Sequence, residues 1–258
     1  MGVDASADGM QQDGFWDLYS RVYDSVYHLI PYRGLLWQAY EALELGPGMR
    51  VLDAGCGTGN FEHFISLKCP PPIQIEALDA SAGMLSVARR KCRSLEYVSF
   101  SPGDLNAELP FEDATFDRIV TINVLYALDD PERVVRELLR VLKPGGVLVI
   151  SSPLPSYSVR PMIADHFRRL RNVWGLHRQI GRVLETVWML VTGGAAQWFL
   201  NSFVINRREA DGMYRSLGRQ ELEGLLQGHR ARDVGTYDIC LASADQNVFA
   251  TAVKAAAA

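Results

Sequence analysis

From residue 49 to 151, short apolar runs alternate with stretches whose apolar side chains recur every three or four positions. MRVLDAG (49–55), IQIEALD (73–79), EYVSF (96–100), FDRIVTINVL (116–125) and VLVIS (147–151) are compact and rich in Val, Ile, Leu and Phe, which predicts buried strands. Between them the spacing becomes helical. Phe61, Phe64 and Ile65 share one face until Pro70, Pro71 and Pro72 stop the helix. Ser81 opens a second helix with Met84, Leu85 and Ala88 on its inner side. Asp130, Pro131 and Glu132 open a third, whose Val134, Leu138 and Leu142 recur at spacing four beside Val135 and Leu139. KPGG (143–146) should end that helix and turn into the fifth strand. The alternation predicts an α/β fold with a mostly parallel sheet. Beyond it, residues 154–205 become helical and rich in Arg and Trp, LGRQELEGLLQG (217–228) reads as a helix, and VGTYDICLA with NVFATAVK as closing antiparallel strands.

Composition narrows the choice. At 258 residues with 48% hydrophobic content the chain can bury one sizeable core. A formal net charge of −4 gives no general attraction to nucleic acid. Cys56, Cys69, Cys92 and Cys240 show neither C-x-x-C pairing nor a framework, which argues against structural zinc or disulfides and fits a reducing, cytoplasmic setting. The opening MGVDASADGMQQDG lacks the features of a signal peptide, and residues 1–14 are expected to be a disordered tail. The closing residues 255–258, all alanine, read as an appended scar outside the fold.

The chemistry concentrates after the first strand, where VLDAGCGTGN places glycines at 55, 57 and 59. A dinucleotide loop of the form G-x-G-x-x-G would need glycine where Asn60 stands. A ligand without phosphates that still presses on a bare backbone tolerates that asparagine, and S-adenosyl-L-methionine is such a ligand. Its amino-carboxylate needs backbone N–H groups, its ribose diol a carboxylate, and its adenine an apolar slot with a polar hook. Gly55, Gly57 and Gly59, then Asp79, then Gly103, Asp104 and Leu105 answer those needs in order.

VLDAGCGTGN, ALDASAGML, GDLNAELPFEDATFDRIV and ELLRVLKPGGVLVIS together resemble the class I S-adenosylmethionine-dependent methyltransferases, over about residues 48–153. That resemblance implies a Rossmann-like sheet of seven strands, the last antiparallel, with helices on both faces and a helical lid inserted after strand 5. It further implies that Gly55 and Gly57 approach the methionine part, that Asp79 with Ala80 holds the ribose, that Met84 flanks the adenine, and that Asp104 and Leu105 hold its edge. Asn123 would lie at the methionine end, and Asp53 would orient the loop or touch the cofactor. The aromatic stripe Phe15, Tyr19, Tyr23 and Tyr27 resembles the tyrosine-rich leader of quinone and lipid methyltransferases, which points to Tyr19 and Tyr23 as cofactor contacts.

Methyl transfer from a sulfonium is governed by positioning, and a general base is optional. Tyr126 and His166 are the candidates, Tyr126 for its place after strand 4. That same region carries INVLY in place of the Asn/Asp-Pro-Pro-aromatic motif typical of enzymes that methylate bases and amides, and no metal is expected. The expected acceptor is therefore a small molecule or lipid, methylated on oxygen, carbon or amine nitrogen, with S-adenosyl-L-homocysteine as coproduct. A non-catalytic S-adenosylmethionine-binding module and a nicotinamide-dependent oxidoreductase are the alternatives, the latter without a Tyr-x-x-x-Lys pair. The expected organisation is cap helices over 15–46, a cofactor-binding core over 47–153, the lid over 154–205 with peripheral membrane contact through its arginines and tryptophans, and the rest of the core over 206–254.

Overall fold

A computed structural model describes residues 5–155, 157–170, 176–189, 207, 211–212, 214–230 and 234–256. Helix α1 (Ala5–Tyr23), a 3-10 turn (Asp24–His28) and α2 (Ile30–Leu43) precede the sheet. Then follow β1 (Arg50–Ala54), α3 (Asn60–Ser66), β2 (Gln74–Asp79), α4 (Ala82–Lys91), β3 (Val98–Pro102) and β4 (Phe116–Ile122). A 3-10 turn (Leu125–Ala127), α5 (Pro131–Val141), β5 (Leu142–Pro153), α6 (Val159–Leu170), α7 (Leu176–Met189), α8 (Arg219–Arg230), β6 (Val234–Ala242) and β7 (Asn247–Lys254) complete the described chain.

The seven strands lie in the order β3-β2-β1-β4-β5-β7-β6. β1 through β5 pair in parallel, while β7 runs antiparallel to both β5 and β6. Chain order reverses between β1 and β4, and such a switch point opens a crevice at the strands' carboxyl ends. Two apolar layers flank the sheet. Leu52 and Ala54 face one side with α5 and α8, while Val51 faces the other with α2 and α3. Because strand side chains alternate, Asp53 shares the Val51 side and is buried there.

Several boundaries differ from the sequence reading. The helix α1 reaches back to Ala5, so residues 5–14 are not the irregular tail expected; Ala, Met and Gln there favour helix, and residues 1–4 lie outside the described chain. β4 stops at Ile122 because Asn123 takes a left-handed φ of 58° that breaks the ladder. KPGG does not precede the strand but lies within β5 as a bulge, between the pairs Phe116–Leu142 and Arg118–Val147. Gly145 (φ 74°) turns that bulge, and at Gly146 a Cβ would come within 2.6 Å of Leu142. The stretch expected as a lid holds α6 and α7; residues 171–175 and 190–206 lie outside the described part.

Candidate functional site

The turn after β1 is built from three glycines, each needed for a different reason. Gly55, Gly57 and Gly59 have φ of 87°, 56° and 74°, values that disfavour side chains. A Cβ on Gly55 would stand 2.3 Å from Val124, and one on Gly59 3.1 Å from Ala88, so these two let the loop close on its neighbours. A Cβ on Gly57 would meet nothing nearer than Tyr23 at 3.8 Å. Gly57 therefore leaves open space, a cradle a ligand can enter. The N–H groups of Gly55 and Cys56 both donate to Leu78 O at 2.8 Å, which fixes the loop to the end of β2.

Asp79 closes β2 beside that loop. Its carboxylate accepts from Gly57 N at 2.8 Å and Ser81 N at 2.9 Å. Burial raises its pKa, and the two N–H donors offset this only in part. Ser81 caps α4 by accepting from Met84 N and donates to Asp17 at 2.6 Å; Gly83 N donates to the same carboxylate oxygen at 2.7 Å. This acid from α1 thus sits at the positive end of α4 and ties the two helices together. The tie carries Trp16 and Tyr23 to the mouth of the crevice. On the other flank, Thr58 and Lys91 both donate to Asp24 of the 3-10 turn, at 2.6 and 2.7 Å.

These elements enclose a cavity of about 630 Å³ at the carboxyl ends of β1, β2, β3 and β4. Tyr23, Gly55, Gly57, Asp79, Ala80, Met84, Gly103, Asp104, Leu105, Asn123 and Tyr126 line it, eleven of the residues expected from sequence. Asp104 accepts from Asn106 N at 2.8 Å, a local turn that orients the carboxylate. Asn123 Oδ1 accepts from Asn247 Nδ2 at 2.6 Å, so β7 fixes that side chain. Among the described residues that line it there is no lysine, arginine or histidine.

Four expected residues stand outside the cavity. Tyr19 is buried behind its wall, stacked on Phe15 and edge-on to Tyr23 at 5.3 Å. Gly59 packs on α4. Asp53 lies beneath the loop against Glu62; burial and then Glu62 push its carboxyl well above the usual range, and burial raises Glu62 also. Burial of both carboxyls side by side favours their neutral forms. His166 is a structural staple in place of a base. Its Nδ1 accepts from Ile30 N at 3.1 Å, which leaves Nε2 to donate to Thr186 at 2.8 Å and joins α6 to α2 and α7. Tyr126 is buried; burial and then Tyr19, Tyr23 and Tyr214 raise its pKa well above 10, so it stands as a neutral phenol.

Trp16, Ser81, Pro102, Asn106, Ile122, Val124, Ala127, Leu128 and Asp129 complete the lining, and sequence reasoning had not assigned them to the site. The signals were present for two groups: Trp16 adjoins the aromatic stripe, and Val124 to Asp129 follow β4 on the ligand side. Tyr214, far along the chain, stacks near Trp16 at 6.2 Å and meets Tyr126 edge-on at 5.6 Å, a placement with no local sequence signature.

A profile for the methyltransferase domain family matches residues 45–202. Demethylmenaquinone methyltransferase of Staphylococcus aureus strain JH9 is 32% identical over 161 residues, covering 60% of this chain and 66% of that protein. Among solved structures, an S-adenosylmethionine-dependent methyltransferase of Aquifex aeolicus aligns over 98% of this chain and 99% of its own, with TM-score 0.54 and 17% identity. A carbon methyltransferase aligns over 99% of this chain and 72% of its own, with TM-score 0.54 and 16% identity. At such identities the two structures speak to fold alone.

Proposed function

The chain belongs to the methyltransferase domain family, with the class I fold and S-adenosylmethionine as cofactor, and from that premise we propose that it methylates an oxygen, carbon or amine nitrogen of a hydrophobic small molecule or lipid. The observation that carries the acceptor class is the composition of the cavity wall. Among the described residues it joins the apolar and aromatic side chains of Trp16, Tyr23, Ile122, Val124, Tyr126 and Leu128 to the polar Asn106, Asn123 and Asp129, with no cationic side chain to receive a phosphorylated or carboxylated metabolite. The name of the Staphylococcus aureus relative, which specifies demethylmenaquinone, supports the same class.

The residues present fit the cofactor. Gly57 provides the gap a Cβ would fill, Asp79 a carboxylate for the ribose hydroxyls, and Met84, Gly103, Asp104 and Leu105 the slot and hook for adenine. When bound, S-adenosylmethionine supplies a methyl group already activated by its sulfonium. What remains for the protein is to exclude water and hold the acceptor in line. Trp16 and Tyr23 cover the crevice from α1, and the buried Tyr126 offers a neutral hydroxyl that orients the acceptor by hydrogen bonding. With no histidine or lysine among the described lining residues, the acceptor class that fits is one that brings its own nucleophilic electron pair, as an ionisable phenol, an activated carbon or a neutral amine does.

The test is incubation with cofactor labelled on the methyl carbon and separate lipid and aqueous fractions of a cell extract. Label should move into an apolar product in the lipid fraction, and not in the presence of Asp79→Ala protein. Label appearing only in water-soluble products would overturn the acceptor class.

A further inference from the structure

We propose that α6 and α7 form a docking surface for anionic lipid membranes. In α7, Ile180, Val183, Leu184, Val187 and Trp188 follow the spacing of a single helical face, and all five are exposed, Leu184 at 63% and Trp188 at 60%. A surface helix normally turns such a stripe inward. Here the helix is inverted: its polar Thr186 is buried against His166 of α6, and the apolar face looks out. Exposed Phe167 of α6 extends the apolar surface. The Trp188 and His28 rings lie edge to face with their centres 6.0 Å apart, which ties α7 to the 3-10 turn before α2.

Charge selects the occupant. The sequences of α6 and α7 carry five arginines, Arg160, Arg168, Arg169, Arg178 and Arg182, against two acids, Asp165 and Glu185, in a chain whose formal net charge is −4. One of those acids, Asp165, is buried and pairs with both Arg168 and Arg169, so one positive charge remains over from the trio. Arg160, at the start of α6, is exposed. An apolar stripe flanked by a local basic excess on an otherwise acidic protein matches an anionic bilayer surface better than a second copy of this chain. At 14 residues α7 is too short to span a bilayer, and it fits a helix lying in the interface plane. The surface follows directly on β5, whose carboxyl end lies on the same side of the sheet as the cavity.

The test is flotation of the full chain with vesicles, without cofactor or acceptor, so the result is independent of any methyl transfer. Wild-type protein should float with phosphatidylglycerol-containing vesicles, release in high salt, and float poorly with pure phosphatidylcholine. Leu184→Ser with Val187→Ser should lower the bound fraction more than tenfold, since each removes buried apolar contact. Arg160→Gln should lower it about fivefold, the effect of one surface charge. Leu241→Ser, an exposed apolar residue on β6, should change nothing. The proposal is overturned if wild-type protein ignores anionic vesicles, if Leu241→Ser has the same effect as the α7 pair, or if light scattering shows a dimer that the α7 pair dissociates while vesicle binding is absent.

Discussion

Replacing Asp79 separates what the carboxylate does for the loop from what it does for the cofactor. In the protein it accepts from Gly57 N and Ser81 N, at 2.8 and 2.9 Å. Asp79→Ala leaves both N–H groups without that partner. A bond to a charged acceptor contributes about 1.5–3 kcal/mol, but Asp79 lines an open cavity where water can take over, so a cost near ~2 kcal/mol in stability is expected for the pair. Asp79→Asn keeps one oxygen for one donor and should cost about half as much. Affinity follows a different order: both variants lose the anion that receives the ribose hydroxyls, so both should weaken S-adenosylmethionine about ten- to a hundredfold. Burial raises the carboxyl's pKa, and this gives two opposite pH signatures. The free protein gains stability from that group at low pH and loses it as pH rises through the folded pKa, whereas cofactor affinity is full above that pKa and falls as pH drops through it. Urea unfolding and calorimetric titration, each from pH 4 to 8, measure the two. An unchanged dissociation constant in both variants would refute the role of Asp79, and equal stability of the two variants would refute the loop-bridging account.

Gly55→Ala should destabilise the fold and abolish binding, because its Cβ would stand 2.3 Å from Val124 at a φ of 87°; Val124→Ala should restore part of the stability, read by thermal unfolding of the double variant. Glu62→Gln removes a buried acid whose raised pKa makes stability fall as pH rises, so the variant's Tm should change less between pH 5 and 8 than that of the wild type. Asp17→Ala cuts the bridge from α1 to Ser81 and Gly83, and should raise the cofactor dissociation rate about tenfold while affecting association less, followed by Trp16 fluorescence in stopped flow.

The parts of the fold visible in sequence were those set by local pattern. β6 and β7 are Val234–Ala242 and Asn247–Lys254, the two segments read from alternation and turn residues, and α5 begins at Pro131 behind its Asp130 cap. Where tertiary contact decides, sequence was mute. KPGG has the chemistry of a helix end, yet pairing with β4 draws it into β5. His166 could have served as a base until α2 and α7 supplied partners for both ring nitrogens. No sequence pattern singles out Glu62, and only the fold sets it against Asp53. The cavity residues expected from sequence come together because they sit at strand ends, positions fixed once the strands are known. Tyr214 joins them from a distant segment, and no local pattern announces it.

The most direct test of the central claim is a crystal structure with S-adenosyl-L-homocysteine. The account predicts the ribose hydroxyls on the Asp79 carboxylate, the amino-carboxylate against the backbone of Gly55 and Gly57, and the adenine between Met84 and Leu105 with its edge at Asp104. Ligand density elsewhere, or in this cavity with Asp79 turned away from the ribose, would contradict it.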